Sequence, residues 1–387
     1  GAADAAESRA DYAERKQSVT VKNRQKYEGL NKPVKEETFM MKKFLSLLLA
    51  LCLSCGLCSF ASAEGTRTFV DSTGREVTLP ANITRIAISG PLAQIFVFAL
   101  APEMLVGVAN AWDKSAEGIL PTAYYNLPLL GQLYGGKGEM NLETLLAAAP
   151  DVVIDVGEPK KTVKEDLDAL TEQTGIPFVH ITTHTGTAGD AYRKLGELLG
   201  KQEEAEALAA YCENIMARAK KIADSVEKAN ILYVSGAEGL NVIAKGSYHA
   251  EVIDMVANNL AVVDNPSSKG TGNEVDMEQI LSWNPDFVIF APDSIYSTVA
   301  DMDTWQTITA IRNGNYVEVP MGPYNWMGFP PSVQRLLGVM WMEKVLYPEA
   351  ADYDLYEEVK TYFDLFYHCE LTQELYQQLT ANAFVKE

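Results

Sequence analysis

The sequence predicts an α/β protein built from two Rossmann-like lobes joined by one long rigid helix. Three observations carry this reading. Short buried-type strands alternate with helices, the pattern of parallel sheets covered by helices. The alternation is interrupted once, from Glu203 to about Val226, where Ala205, Leu208, Cys212, Ile215, Ala219, Ile222 and Val226 recur at helical spacing. A helix of that length spans ~36 Å, enough to connect two lobes. Finally, MNLETLLAAAPDVVI (140–154) aligns without gaps to VDMEQILSWNPDFVI (275–289), one copy on each side of that helix.

The elements follow in order. Thr68–Leu79 alternates polar and apolar residues around Ser72-Thr73-Gly74 and reads as a hairpin. Arg85–Ser89 is a short buried strand, and Gly90-Pro91 opens the next helix. Leu105–Val108 reads as a second strand, Asn141–Ala149 as a helix, and Asp151–Val156 and Phe178–Thr182 as strands. Pro150 and Pro285 each end a helix and sit just before a strand, where the missing N–H costs nothing. Beyond the long helix the pattern restarts with Ile231–Ser235, helix Ala250–Ala257, Phe287–Ala291 and Tyr316–Pro320; the tail from Pro330 is helical and rich in aromatic residues. The expected organisation is therefore 64–186 for the first lobe, 187–228 for the connecting helical region and 229–387 for the second lobe with its tail.

Composition narrows the function. The chain has 387 residues, 47% hydrophobic and 22% charged, with 27 Gly and 17 Pro, as in globular proteins and unlike collagenous or low-complexity ones. A formal charge of −20 argues against nucleic acid and anionic lipid, which demand clustered Lys and Arg. Four His leave little room for a His-rich metal site, and no directly bound metal or cofactor is expected.

Residues 40–63 read as a secretory signal peptide: Met40-Met41-Lys42-Lys43, the apolar run Phe44–Leu53, then Ala61-Ser62-Ala63 at the cleavage site. The alternative is a lipid anchor at Cys55, preceded by a poor acylation motif. Residues 1–39 are polar and lack apolar periodicity, and Lys35-Glu36-Glu37 is encodable by a purine-rich ribosome-binding sequence, so they read as translated leader with the start at Met40 or Met41. The remaining chain keeps Cys212 and Cys369 alone, either a pair or two free thiols.

Enzyme motifs are weak. Gly131-Gln-Leu-Tyr-Gly-Gly136-Lys137 has phosphate-loop spacing, but Gly138 stands where a Ser or Thr is needed. No H-E-x-x-H and no paired C-x-x-C occurs after residue 63.

The export signal, the VDSTGREVTLP hairpin, ITRIAIS, NLETLLAAAPDVVI, the connecting helix, GKGSYHAEVIDMV and DMEQILSWNPDFVIF follow one another in an order that resembles the metal-chelate substrate-binding proteins of ABC importers. The resemblance covers nearly all of residues 66–345. It implies two α/β lobes on one helix, a ligand held in the cleft between them, no enzymatic activity, and delivery to a permease dimer with its ATPase subunits. An exported monomer, periplasmic or surface-associated, is expected.

Ligands of open parallel sheets bind beyond the carboxyl ends of the strands. That rule points to Ser89, Trp112, Tyr134, His184, Ser235, Tyr248, His249, Lys269, Tyr324, Trp326 and Arg335 as ligand contacts, with Trp326 and Tyr248 facing the cleft from the second lobe. For each aromatic the alternative is an ordinary core position. Lys114, Lys137, Lys245, Lys269 and Arg335 are scattered, so a triply anionic complex is poorly matched. The cargo expected is a ferric siderophore or related chelate; the alternatives are a corrinoid, haem or an oxyanion held by backbone N–H groups, and, further off, an exported α/β enzyme using the same cleft. Glu143 and Glu278 occupy equivalent repeat positions. The resemblance implies that they engage arginines on the two permease subunits, while helix-dipole stabilisation is the simpler account.

Overall fold

The computed structural model of the chain describes residues 65–134 and 139–386. The leader, the signal peptide, Cys55 and Lys137 lie outside the described residues. The first lobe opens with the hairpin β1 (Thr66–Val70) and β2 (Glu76–Pro80). A three-stranded parallel sheet follows, in the order β3 (Ile86–Ile88), β4 (Val152–Gly157), β5 (Phe178–Thr182). Helices α1 (Pro91–Leu100), α2 (Leu142–Ala148) and α3 (Val163–Thr174) fill the crossovers. Helix α4 (Ala188–Leu199) pairs with the 24-residue α5 (Gln202–Ser225), which lies between the two sheets in the chain. Gly196 permits that close pairing: a Cβ there would stand 2.5 Å from that of Ala205.

The second lobe holds a six-stranded sheet. Its order is β11 (Tyr316–Glu318), β10 (Phe287–Phe290), β6 (Asn230–Ser235), β7 (Asn241–Val242), β9 (Asn273–Glu274), with β8 (Asn258–Asn259) also on β6. The pairs β10–β11 and β6–β10 are parallel, whereas β7 runs antiparallel to both β6 and β9. An all-parallel sheet is thus corrected: Gly236 and Gly239, both at positive φ, turn the chain straight back from β6 into β7. The expected strand Leu105–Val108 reduces to single bridges, Ile86 with Leu105 and Val108 with Leu129.

The repeat is a repeat of structure. Helix α2 is capped by Asn141, whose side chain accepts from the Thr144 N–H at 2.9 Å; α7 (Met277–Trp283) is capped by Asp276, which accepts from the Gln279 N–H at 2.8 Å. Both helices end on a left-handed residue, Ala149 (φ 45°) and Asn284 (φ 41°). In each copy the Asp after the proline then donates its N–H to the neighbouring strand: Asp151 to the Arg85 carbonyl, Asp286 to that of Asn230, both at 2.9 Å or less.

One apolar core runs through both lobes and the connector, from Phe69 and Ile88 through Leu208 and Cys212 to Trp326 and Trp341. The apolar stripe of α5 is buried as its spacing predicts. The tail does not stay with the second lobe. After α8 (Arg335–Leu346) and α9 (Leu355–Tyr362) it packs back on the first, where Phe366 meets Tyr192 and His368 Nε2 lies 3.2 Å from the Phe98 carbonyl. Cys212 and Cys369 are free thiols. Burial pushes the Cys369 thiol up to about 12.

Candidate functional site

The carboxyl ends of β3, β4 and β5 bring Ser89-Gly90, Glu158 and Thr183-His184 to the edge of the first lobe that faces the second. Helix α1 starts there. Its cap residue Gly90 is extended, no side chain caps it, and the space a Cβ would fill is open. The first N–H groups of such a helix point outward with the positive end of its dipole.

Below this edge lies a buried polar row. Ser89 donates its hydroxyl to Asp155 Oδ1, and Asp155 Oδ2 is 2.7 Å from His180 Nδ1, its register partner on β5. Beside it, Tyr134 donates to Asp166 at 3.1 Å and carries the Lys160 ammonium 3.8 Å above its ring. Partial burial holds Lys160 below the usual lysine value, against the pull of Asp155 and Asp166.

The lobes are tied together at the cleft by Glu251, in the first turn of α6 (Glu251–Val256). Its Oε1 is 2.8 Å from His184 Nδ1. Its Oε2 accepts from the Thr185 N–H (2.9 Å) and hydroxyl (2.7 Å) and pairs with Arg335 Nη1 at 3.1 Å. Burial pushes this carboxyl up, but Arg335, Thr185 and His184 outweigh it and hold it below its ordinary value. Tyr248 adds a second tie, donating its hydroxyl to the Thr183 carbonyl at 3.1 Å. Arg335 in turn donates to the Tyr248 carbonyl at 2.8 Å and stacks 4.5 Å from the Tyr248 ring. His249, next in sequence, is held below its ordinary value by burial and by the Arg335 charge. Beside this clasp opens a cleft of about 490 Å³, lined from the first lobe by Glu158, His184 and Thr185 and from the second by Ser247, Tyr248 and Asp254.

Of the expected contacts, the structure brings His184 and Tyr248 to this cleft, with Arg335 behind them. Ser235 donates weakly to the Thr271 carbonyl at 3.4 Å. Lys269 is exposed, and His249 lines a separate 20 Å³ cavity with Tyr233 and Phe329. The expectation for Trp326 is corrected: its indole is wholly buried and donates to the Gly322 carbonyl at 3.1 Å, while its backbone carbonyl lies against Gly338 of α8. Trp112 and Tyr324 are buried against each other, Trp112 donating to the Tyr124 carbonyl and Tyr324 accepting from Gln94. Arg335 is buried with its charge already committed, so it is no free ligand cation. Sequence reasoning missed Glu251 and Thr185. The signal was available in GKGSYHAEVIDMV, where Glu251 opens a helix whose other residues, Asp254 apart, are apolar.

A family profile described as periplasmic binding protein matches residues 111–321. The chain is 30% identical over 358 residues to the molybdate-binding protein MolA of Haemophilus influenzae, covering 84% of this chain and 97% of that one. It is 24% identical over 187 residues to the Fe(3+)-citrate-binding protein YfmC of Bacillus subtilis, covering 46% of this chain and 56% of that one. A solved ABC transporter solute-binding protein from Sulfurospirillum deleyianum superposes with a TM-score of 0.75 at 28% identity, over 81% of this chain and 99% of the other.

Proposed function

The chain belongs to the periplasmic binding protein family, and from that premise we propose that it captures a small oxyanion of the molybdate class in the cleft between its lobes. As a solute-binding protein of the ABC-importer type, it works with permease and ATPase components rather than as an enzyme. Among the described residues no helix is long and apolar enough to cross a membrane. Export by the segment 40–63 and a lipid anchor at Cys55 stay proposals of the sequence.

The observation that carries the oxyanion reading is the uncapped start of α1 at Gly90, at the carboxyl end of β3 and so at the same end of its sheet as His184 of the cleft. Backbone N–H groups there suit a compact anion without a side-chain cation. A large trianionic chelate wants converging cations instead, and Arg335 is spent on Glu251, while Lys160 sits on Tyr134. The likeness to a molybdate-binding relative along most of the chain supports the same choice. A second reading, a ferric chelate, is favoured by the 490 Å³ cleft and by the Fe(3+)-citrate-binding relative.

Thermal melts separate the two. Molybdate at a hundred times its Kd stabilises the folded chain by about 2.7 kcal/mol, while ferric citrate and ferric hydroxamates leave it unshifted. A shift with a ferric complex and none with molybdate establishes the second reading.

Glu143 and Glu278 belong to the same proposal, as docking charges for two permease subunits. Both are exposed, each in the first turn of its helix.

A further inference from the structure

We propose that Leu146 and Leu281 are matched apolar anchors for two like subunits of the import permease, an inference that rests on the docking reading of Glu143 and Glu278. The two leucines are 49% and 40% exposed. Large apolar side chains exposed singly are common on any surface and ask for no explanation. These two, however, stand at the same position of the structural repeat, in helices with the same cap, the same left-handed end and the same Pro-Asp exit into a strand.

The helix positions sort by role. Leu145 and Ile280, again equivalent, are fully buried against their sheets. Glu143 and Leu146 are three apart, as are Glu278 and Leu281, so each pair shares one exposed helix face. Each lobe therefore presents a carboxylate and an isobutyl group side by side. The carboxylate orients a basic partner and speeds encounter; burial of the leucine then slows release. A partner made of two like subunits is the one that meets two like patches with the same surface twice. Helix α2 leads through its tight Pro-Asp turn into β4, and α7 into β10, so each helix starts at the carboxyl edge of its sheet. That is the edge at which the ligand cleft lies.

The test is docking of the chain to its permease–ATPase complex in nanodiscs, read as Kd and as ATPase stimulation, with molybdate as the ligand probe. Gln is a good helix former of similar reach, so Leu146→Gln with Leu281→Gln keeps both helices. The double variant is expected to dock at least tenfold more weakly, each single variant less so, with melting temperature and molybdate affinity unchanged. Val70→Gln, an equally exposed apolar position on β1 (48%), is expected to dock as wild type. Wild-type docking by the double leucine variant, while Glu143→Ala with Glu278→Ala loses docking, overturns the anchor role and leaves the docking reading standing. Wild-type docking by both double variants overturns both. Equal weakening by Val70→Gln overturns the specificity of the leucine pair.

Discussion

Two glutamates are taken from water in different regions of the molecule, and they are held in opposite ways. Glu251 joins the lobes beside the cleft and has both oxygens occupied by His184, Thr185 and Arg335. Glu343 lies in α8, under the tail that returns to the connecting helix. Its Oε2 accepts from Tyr353 at 2.9 Å, but its Oε1 is buried without a partner. The cation whose charge reaches it, Arg218 of α5, is committed to Glu358 at 2.6 Å and stacked on Tyr353. Burial therefore wins at Glu343 and lifts its carboxyl to about 7, against the Tyr353 bond and the Arg218 charge. Burial raises both groups; the number of donors decides which one stays charged. The clasp at the cleft is a built ion pair, whereas the buried acid under the tail is a tolerated liability.

The largest expected effect comes from breaking the satisfied site. Glu251→Ala strands Arg335 as a buried, unpaired charge, and loss of one partner of a buried pair costs about 3–5 kcal/mol. Denaturant unfolding reads this directly, and a loss below 1 kcal/mol would sink the clasp. Next comes pH. The folded pKa of Glu343 is raised from its ordinary 4.5 to about 7. Its contribution to stability is therefore fully present below pH ~4.5, falls as pH rises to ~7 and is flat above. At ~1.4 kcal/mol per unit the loss is about 3 kcal/mol. Glu343→Gln removes that slope; an unchanged stability–pH curve in the variant would show that the slope belongs to other groups. The smallest effect is at Tyr248→Phe, which deletes one inter-lobe hydrogen bond and costs about 1 kcal/mol, with the ring still stacked on Arg335.

Much of the fold was legible because it rests on local rules. The stripe on α5 marks its buried face, and the Asx caps and Pro-Asp exits mark α2 and α7 within a residue. The two-residue strands β7 and β9 escaped notice because they are too short for alternation to show. The site was legible in its location and poorly so in its membership. Strand ends placed His184 and Tyr248 at the cleft. Nothing local separates Trp326, buried with its indole N–H on the Gly322 carbonyl, from an aromatic that faces a ligand. The same holds for Arg335: its charge looks free in sequence and is consumed by Glu251, 84 residues earlier.

The central claim is that the open start of α1 receives the anion, and calorimetric titration of molybdate into the wild type and Gly90→Val tests it most directly. Gly90 is extended and precedes a proline, a backbone that valine adopts readily, and a Cβ there meets open space. The variant is expected to melt with the wild type and to bind molybdate at least tenfold more weakly, because its side chain fills the space before the helix N–H groups. Molybdate affinity equal to wild type in a folded Gly90→Val would contradict the claim.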